Sequence, residues 1–179
     1  MWKDAIWLGV PKKELKKWNI LEGDLTGRFV YYRCEIQLDE PANLTVDISA
    51  NSRYRLWVNE RPVLSGPCKG DLHRHYYETV DLTEYLKIGK NILAVQVLYS
   101  NAYSAVKQTD ERAGIFGVLT PGGGHRLAVE GELRNADGKT IGSVTTGSAD
   151  WKVYLDGSFF LKSYAVTENL GAVCEELDF

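Results

Sequence analysis

In the stretch Leu44-Thr45-Val46-Asp47-Ile48-Ser49-Ala50 every second side chain is apolar and the ones between are polar. A repeat of two puts alternate side chains on opposite sides of a pleated backbone, so this stretch reads as a strand with one buried and one wet face. The pattern recurs. Between Phe29 and Leu38, one side carries Val30, Tyr32, Cys34, Ile36 and Leu38, and the other carries Arg33, Glu35 and Gln37. Tyr54, Leu56 and Val58 share a face, as do Leu93, Val95 and Val97, and Leu127, Val129 and Leu133. Such strands must cover their apolar side, and a second sheet does this with the least helix.

Turn chemistry separates the alternating stretches: Glu40-Pro41-Ala42-Asn43, Asn59-Glu60-Arg61-Pro62, Gly89-Lys90-Asn91, Pro121 to Gly124, and Asn135-Ala136-Asp137-Gly138. The last predicts a hairpin joining residues 126–134 to 139–146. Helix signals are confined to Thr83 to Lys87, with Asp81 or Thr83 as cap, and to the lysine-rich segment around Glu14. Seven or more short strands with almost no helix predict an all-β fold, an antiparallel two-sheet jelly-roll sandwich, with a closed barrel as the less supported alternative. The length of 179 residues suits one such domain spanning the whole chain. The longest irregular stretches, Arg61 to His75 and Ser100 to Gly114, are about 15 residues each, long enough to be functional loops.

Composition excludes several roles. With 21 basic and 24 acidic residues interspersed and a net charge of -3, the sequence offers no positive field for nucleic acid. No apolar run approaches the roughly 20 residues that cross a bilayer, and the N-terminus lacks a secretory signal pattern. Cys34, Cys68 and Cys174 form an odd set without close spacing, which favours a reducing, cytoplasmic setting, with one bridge plus a free thiol as the alternative. Cys34 falls on the apolar side of its strand and is expected in the core.

Chemistry is harder to find. Glycoside hydrolysis needs two carboxylates facing each other, whereas Asp39-Glu40, Asp110-Glu111 and Glu175-Glu176 are adjacent pairs that diverge on a strand. No nucleophile elbow and no phosphate-cradling glycine loop is present. Cys68, Asp71, His73 and His75 cluster without matching a zinc motif, so no metal or other cofactor is expected. Sugars stack on aromatic rings flanked by polar groups, and this picks out Trp57 with its neighbours Arg55 and Asn59, and His73, His75 and Tyr77 at the first long loop. For the aromatics the simpler explanation is packing under loops or against another domain, and for the histidines hydrogen bonding within the loop.

Between Tyr54 and Val97 the chain runs Tyr-Arg-Leu-Trp-Val-Asn (54–59), Gly66-Pro67, Asp81-Leu82-Thr83 and Gly89-Lys90-Asn91-Ile92-Leu93-Ala94-Val95-Gln96-Val97. This succession resembles the galactose-binding-like β-sandwich in the N-terminal part of bacterial α-L-rhamnosidases of glycoside hydrolase family 78. Ala136-Asp137-Gly138 and Ser148-Ala149-Asp150-Trp151-Lys152 extend the likeness over residues 26–155. Two positions depart from the family pattern: Glu60 stands where a glycine is usual, and Ala149-Asp150 replaces Asp-Glu-Ser before Trp151. The Asp-Leu-Thr and Gly-x-Asn steps also recur in the sugar-binding sandwich of β-galactosidase-like enzymes. The resemblance implies a non-catalytic accessory domain, whose partners are the catalytic and other domains of a parent glycosidase and, through them, rhamnose-containing glycans. The acid and base of such enzymes sit on an (α/α)6 barrel that no segment here can form, so the chain reads as a fragment of a longer protein. The alternatives are a self-sufficient carbohydrate-binding module and, more weakly, an enzyme in its own right.

Overall fold

The computed structural model of the protein describes residues 2–17, 28–51, 53–68, 76–98, 126–163 and 173–177. A short helix, α1 (Lys12–Lys17), precedes the strands β1 (Arg28–Leu38), β2 (Asn43–Ala50), β3 (Arg53–Val58), β4 (Arg61–Gly66) and β5 (Glu78–Asp81). A turn of 3-10 helix (Thr83–Tyr85) leads to β6 (Gly89–Leu98), β7 (Leu127–Arg134), β8 (Thr140–Ser143), β9 (Trp151–Ser163) and β10 (Val173–Leu177). They form two antiparallel sheets, one ordered β10-β9-β1-β6-β3-β4 and one ordered β5-β2-β7-β8. The fold is the expected all-β two-sheet sandwich of jelly-roll type.

Alternation decides which side chains meet between the sheets. The first sheet contributes Val30, Tyr32, Cys34 and Ile36 from β1, Tyr54, Leu56 and Val58 from β3, and Leu93, Val95 and Val97 from β6. The second contributes Leu44, Val46 and Ile48 from β2, and Leu127, Val129 and Leu133 from β7. Each such side chain, fully buried, is worth about 1.5–3 kcal/mol in apolar transfer, so this layer outweighs any surface contact. Gly131 lies opposite Val46, and a Cβ there would approach the Val46 side chain to 2.7 Å, so a glycine permits the close packing of β7 on β2.

Several details differ from expectation. Residues 61–66 form strand β4 rather than the start of a loop. The stretch lacks clear alternation, and Pro62 weakens its strand signal, yet β4 is an edge strand, where a missing N–H is tolerated. The hairpin built on Asn135 to Gly138 is present, but its second strand ends at Ser143; Val144 and Thr146 continue against β7 through bonds to Gly131 and Val129 carbonyls at 3.0 and 2.8 Å. Neither Asp81 nor Thr83 is the cap of the 3-10 turn, whose N-cap position is Leu82. Asp81 instead accepts the Thr83 N–H at 2.9 Å and steadies the turn locally, while the Thr83 hydroxyl accepts the Leu44 N–H at 3.1 Å and docks the turn on β2.

The N-terminal segment is part of the fold. Leu8 pairs with Leu127, Ile6 N–H donates to the Thr146 carbonyl at 3.0 Å, and the N–H groups of Lys3 and Asp4 reach the Glu130 carboxylate. The Tyr32 hydroxyl donates to the Leu8 carbonyl at 3.3 Å, which links this strap to the core. No helix among the described residues is long and apolar enough to cross a membrane.

Candidate functional site

Strand register assigns the candidate residues to different places. Arg55 stands on the outer face of the six-stranded sheet, opposite Gln96 of β6 and Ser65 of β4. Trp57 lies in the next row of that face, half-buried, opposite Ala94 and Pro62. Tyr77 precedes β5 and belongs to the other sheet, where its exposed ring lies 5.4 Å from that of Trp2, itself edge-on to Trp7 at 6.3 Å. His73 and His75 lie outside the described residues, as do Asp71 and the expected loop from Ser100 to Gly114. The structure thus brings Arg55 and Trp57 together and sets Tyr77 apart from them.

Asn59 serves the backbone. Its amide nitrogen donates to the Tyr85 carbonyl at 2.9 Å and to Asn91 Oδ1 at 2.8 Å, and its Oδ1 accepts the Ile92 N–H at 3.0 Å. Asn59 and Glu60 both have positive φ, 49° and 68°, the geometry of a two-residue turn between twisted strands. Asn91, fully buried, completes the arrangement by bonding Lys87 at both its N–H and its carbonyl, at 2.9 and 2.6 Å. The Tyr-x-Leu-aromatic-Val-Asn and Gly-x-Asn steps therefore meet in space as one hydrogen-bonded hinge between β3 and β6.

The outer face of the six-stranded sheet carries more than Arg55 and Trp57. Tyr31 of β1 pairs with Tyr154 of β9 and with Gln96 of β6. The two rings are exposed, 6.3 Å apart and inclined by 36°, and Gln96 Nε2 donates to the Tyr31 hydroxyl at 3.1 Å. Lys17 Nζ stands 4.8 Å from the Tyr154 ring centre. Below this row, Glu35 is bound by Lys90 at 2.7 Å and Arg33 at 3.0 Å, with Lys152 at 3.9 Å. The bond from Lys90, ahead of the charge of Arg33, holds the Glu35 carboxyl below the ordinary range. Tyr31, Gln96 and Tyr154 escaped the sequence reading, although Tyr31 has the same parity as Arg33, Glu35 and Gln37.

The two outer faces differ in charge. Arg33, Arg53, Arg55, Lys90 and Lys152 lie on the outer side of the six-stranded sheet together with the acids Glu35 and Asp156, whereas Asp47, Asp81, Glu130 and Glu132 lie on the outer side of the other together with Arg134. Among these residues bases outnumber acids on the first outer face, and acids outnumber bases on the second. The acids of the second face have structural partners: Thr79 donates to Asp47 at 2.5 Å, and Arg134 pairs with Glu132 at 2.5 Å.

At the edge between the sheets, Glu78 of β5 accepts the Tyr54 hydroxyl at 2.6 Å and the Cys68 N–H at 2.5 Å. The Glu78 carboxylate beside it raises the Cys68 thiol above its ordinary value, which works against a nucleophilic role. Cys34 is buried and pushed up to about 11, chiefly by desolvation. Among the described residues no three His, Cys, Asp or Glu side chains are grouped to hold a metal. An apolar hollow of about 310 Å³ opens at the turn end of the sandwich between Leu38, Ala42, Thr83, Leu86, Ile88 and Ala136. Ile88 is 62% exposed at its rim.

No protein-family model matches the chain, and no curated protein is detectably similar to it. Solved structures do resemble it. An α-L-rhamnosidase from Aspergillus terreus matches with a TM-score of 0.60 at 21% identity, over 88% of this chain and 17% of its own. A family 78 rhamnosidase of Bacillus sp. GL1 matches with a TM-score of 0.54 at 24% identity, over 86% and 13%. A lectin from Pleurotus ostreatus, solved in complex with GalNAc, matches with a TM-score of 0.52 at 18% identity, over 83% and 34%. The chain therefore resembles one domain of the rhamnosidases and spans well under a fifth of their length.

Proposed function

We propose that this chain is a non-catalytic accessory domain of an α-L-rhamnosidase-like glycosidase of bacterial type, set N-terminal to the catalytic barrel and packed on or beside its substrate cleft. The supporting observation is the sandwich itself, which agrees with small parts of three rhamnosidases over at least 75% of its own length. The apolar hollow with exposed Ile88 offers a surface that another domain of the same protein would cover. Among the described residues the thiols of Cys34 and Cys68 are both free, which suits a cytoplasmic setting. The test is the reading frame beyond Phe179. Several hundred further residues with helical-barrel patterning support the reading, and a stop codon directly after residue 179 overturns it.

A second reading, a self-sufficient carbohydrate-binding module, is favoured by one observation: Arg55 and Trp57 share an exposed face with two further aromatic rings. Isothermal titration with rhamnose and rhamnosides separates the two, since a module gives saturable heat at millimolar sugar and a purely structural domain gives none.

A further inference from the structure

Tyr154, Tyr31, Gln96, Arg55 and Ser65 stand in register on β9, β1, β6, β3 and β4. Adjacent strands lie about 4.8 Å apart, so these side chains form a straight row about 19 Å long across the outer face of the sheet. From this row the geometry points to a binding site for an anionic oligosaccharide, a uronate-bearing chain laid perpendicular to the strands. The inference rests on the carbohydrate-associated reading of the domain and adds the ligand class and the residues.

The row changes character along its length. Tyr31 and Tyr154 are 37% and 42% exposed and present ring surface for the C–H faces of sugars, with Lys17 Nζ 4.8 Å from the Tyr154 ring centre as a further cation at that end. Gln96, bonded to the Tyr31 hydroxyl at 3.1 Å, fixes one ring and places an amide beside it. Arg55 follows, exposed and with no side-chain partner among the described residues. A planar guanidinium is suited to bind a carboxylate through two parallel hydrogen bonds.

Charge selects the ligand further. Arg53 lies one row from Arg55, Arg33 and Lys152 lie on the other side, and the two carboxylates of this face, Glu35 and Asp156, offset only part of their charge. The row holds no aliphatic side chain to anchor an apolar protein segment. With a net charge of -3 the chain offers no long-range positive field to a polyanion such as nucleic acid, whereas a short uronide needs only the local bases beside the row. Trp57, half-buried beside Ala94, borders the row on the Arg55 side.

The test is calorimetric titration of the full 179-residue chain with tetragalacturonate at low salt, beside a neutral tetrasaccharide and a short single-stranded oligonucleotide. The expected result is saturable binding of the uronide that weakens with salt. Tyr31→Ala and Arg55→Ala should each weaken it by about tenfold with thermal transitions unchanged, and Arg55→Lys should recover only part. No heat with the uronide, equal or tighter binding of the neutral sugar or the oligonucleotide, or indifference to both substitutions overturns the proposal. Absence of uronide binding in a chain whose reading frame continues into a helical barrel removes this inference and leaves the accessory-domain reading standing.

Discussion

The Tyr54 hydroxyl on β3 donates a 2.6 Å hydrogen bond to the Glu78 carboxylate on β5, joining the edge of one sheet to a buried side chain of the other. The second carboxylate oxygen takes the Cys68 N–H at 2.5 Å. Burial and this anionic neighbour push the Tyr54 hydroxyl far above the usual phenol range, so it stays a donor at any physiological pH. Glu78→Ala strands the buried Tyr54 hydroxyl, while water can take the exposed Cys68 N–H, and is expected to cost about 1–3 kcal/mol, read from urea midpoints. A Cβ at Gly66 would lie 2.6 Å from Glu78 Oε2 and 2.9 Å from Tyr54 Cε1. Gly66→Ala should therefore destabilise by less in a Glu78→Ala background than in the native chain.

The same carboxylate governs Cys68. The thiol is exposed but held in its protonated form by Glu78. Glu78→Gln should speed iodoacetamide labelling of Cys68 severalfold at mildly alkaline pH, followed by peptide mass spectrometry. An unchanged rate would show that the carboxylate has no hold on the thiol.

Glu60 carries a side chain at a φ of 68°, in the left-handed region that only glycine enters without cost. Glu60→Gly is expected to stabilise the protein by about 1 kcal/mol, or about 2–4 °C in thermal midpoint. A fall in midpoint would mean that the Glu60 side chain contributes more than its backbone costs.

Asn91 is the buried amide at which the hairpin and the 3-10 turn meet. It donates to the carbonyls of Lys87 and Gly89 at 2.6 and 3.1 Å and accepts from Lys87 N–H and Asn59 at 2.9 and 2.8 Å. Asn91→Leu fills the space but satisfies none of these groups and should cost about 2–4 kcal/mol in denaturant unfolding. Asn59→Ala should also be costly, because it removes the bonds to Tyr85, Asn91 and Ile92 and leaves an alanine at a φ of 49°.

Cys34 makes stability depend on alkaline pH. Burial raises its folded-state value from 9.0 to about 11, so between these limits the folded chain holds a proton that the unfolded chain has released. Its contribution is complete below pH 9.0 and is lost as pH rises through about 11, with a steepest slope of about 1.4 kcal/mol per pH unit. Cys34→Ala should be flatter than the native chain over this window. Tyr32 and Tyr54, also raised by burial, add slope at higher pH in both proteins.

The core was legible because alternation is a local property. Val30 to Leu38, Leu44 to Ala50 and Leu93 to Val97 each announce a buried side without reference to any partner. β4 was not, since an edge strand with Pro62 needs neither alternation nor a full set of N–H groups. Asn59 looked like a polar neighbour of an exposed tryptophan; only the positive φ of its turn and its bonds to Tyr85 and Asn91 reveal what its amide does.

By itself the sequence determined the fold class, the inward side of each main strand and the position of most turns, because the pleat and the turn dihedrals act over a few residues. Tertiary structure decided which strands became neighbours. That choice set Tyr31 beside Tyr154, put Arg55 in their row, left bases in excess on one outer face and acids on the other, and let Glu78 reach Tyr54. Strand order is fixed by how the whole apolar layer packs, and no single segment carries that information.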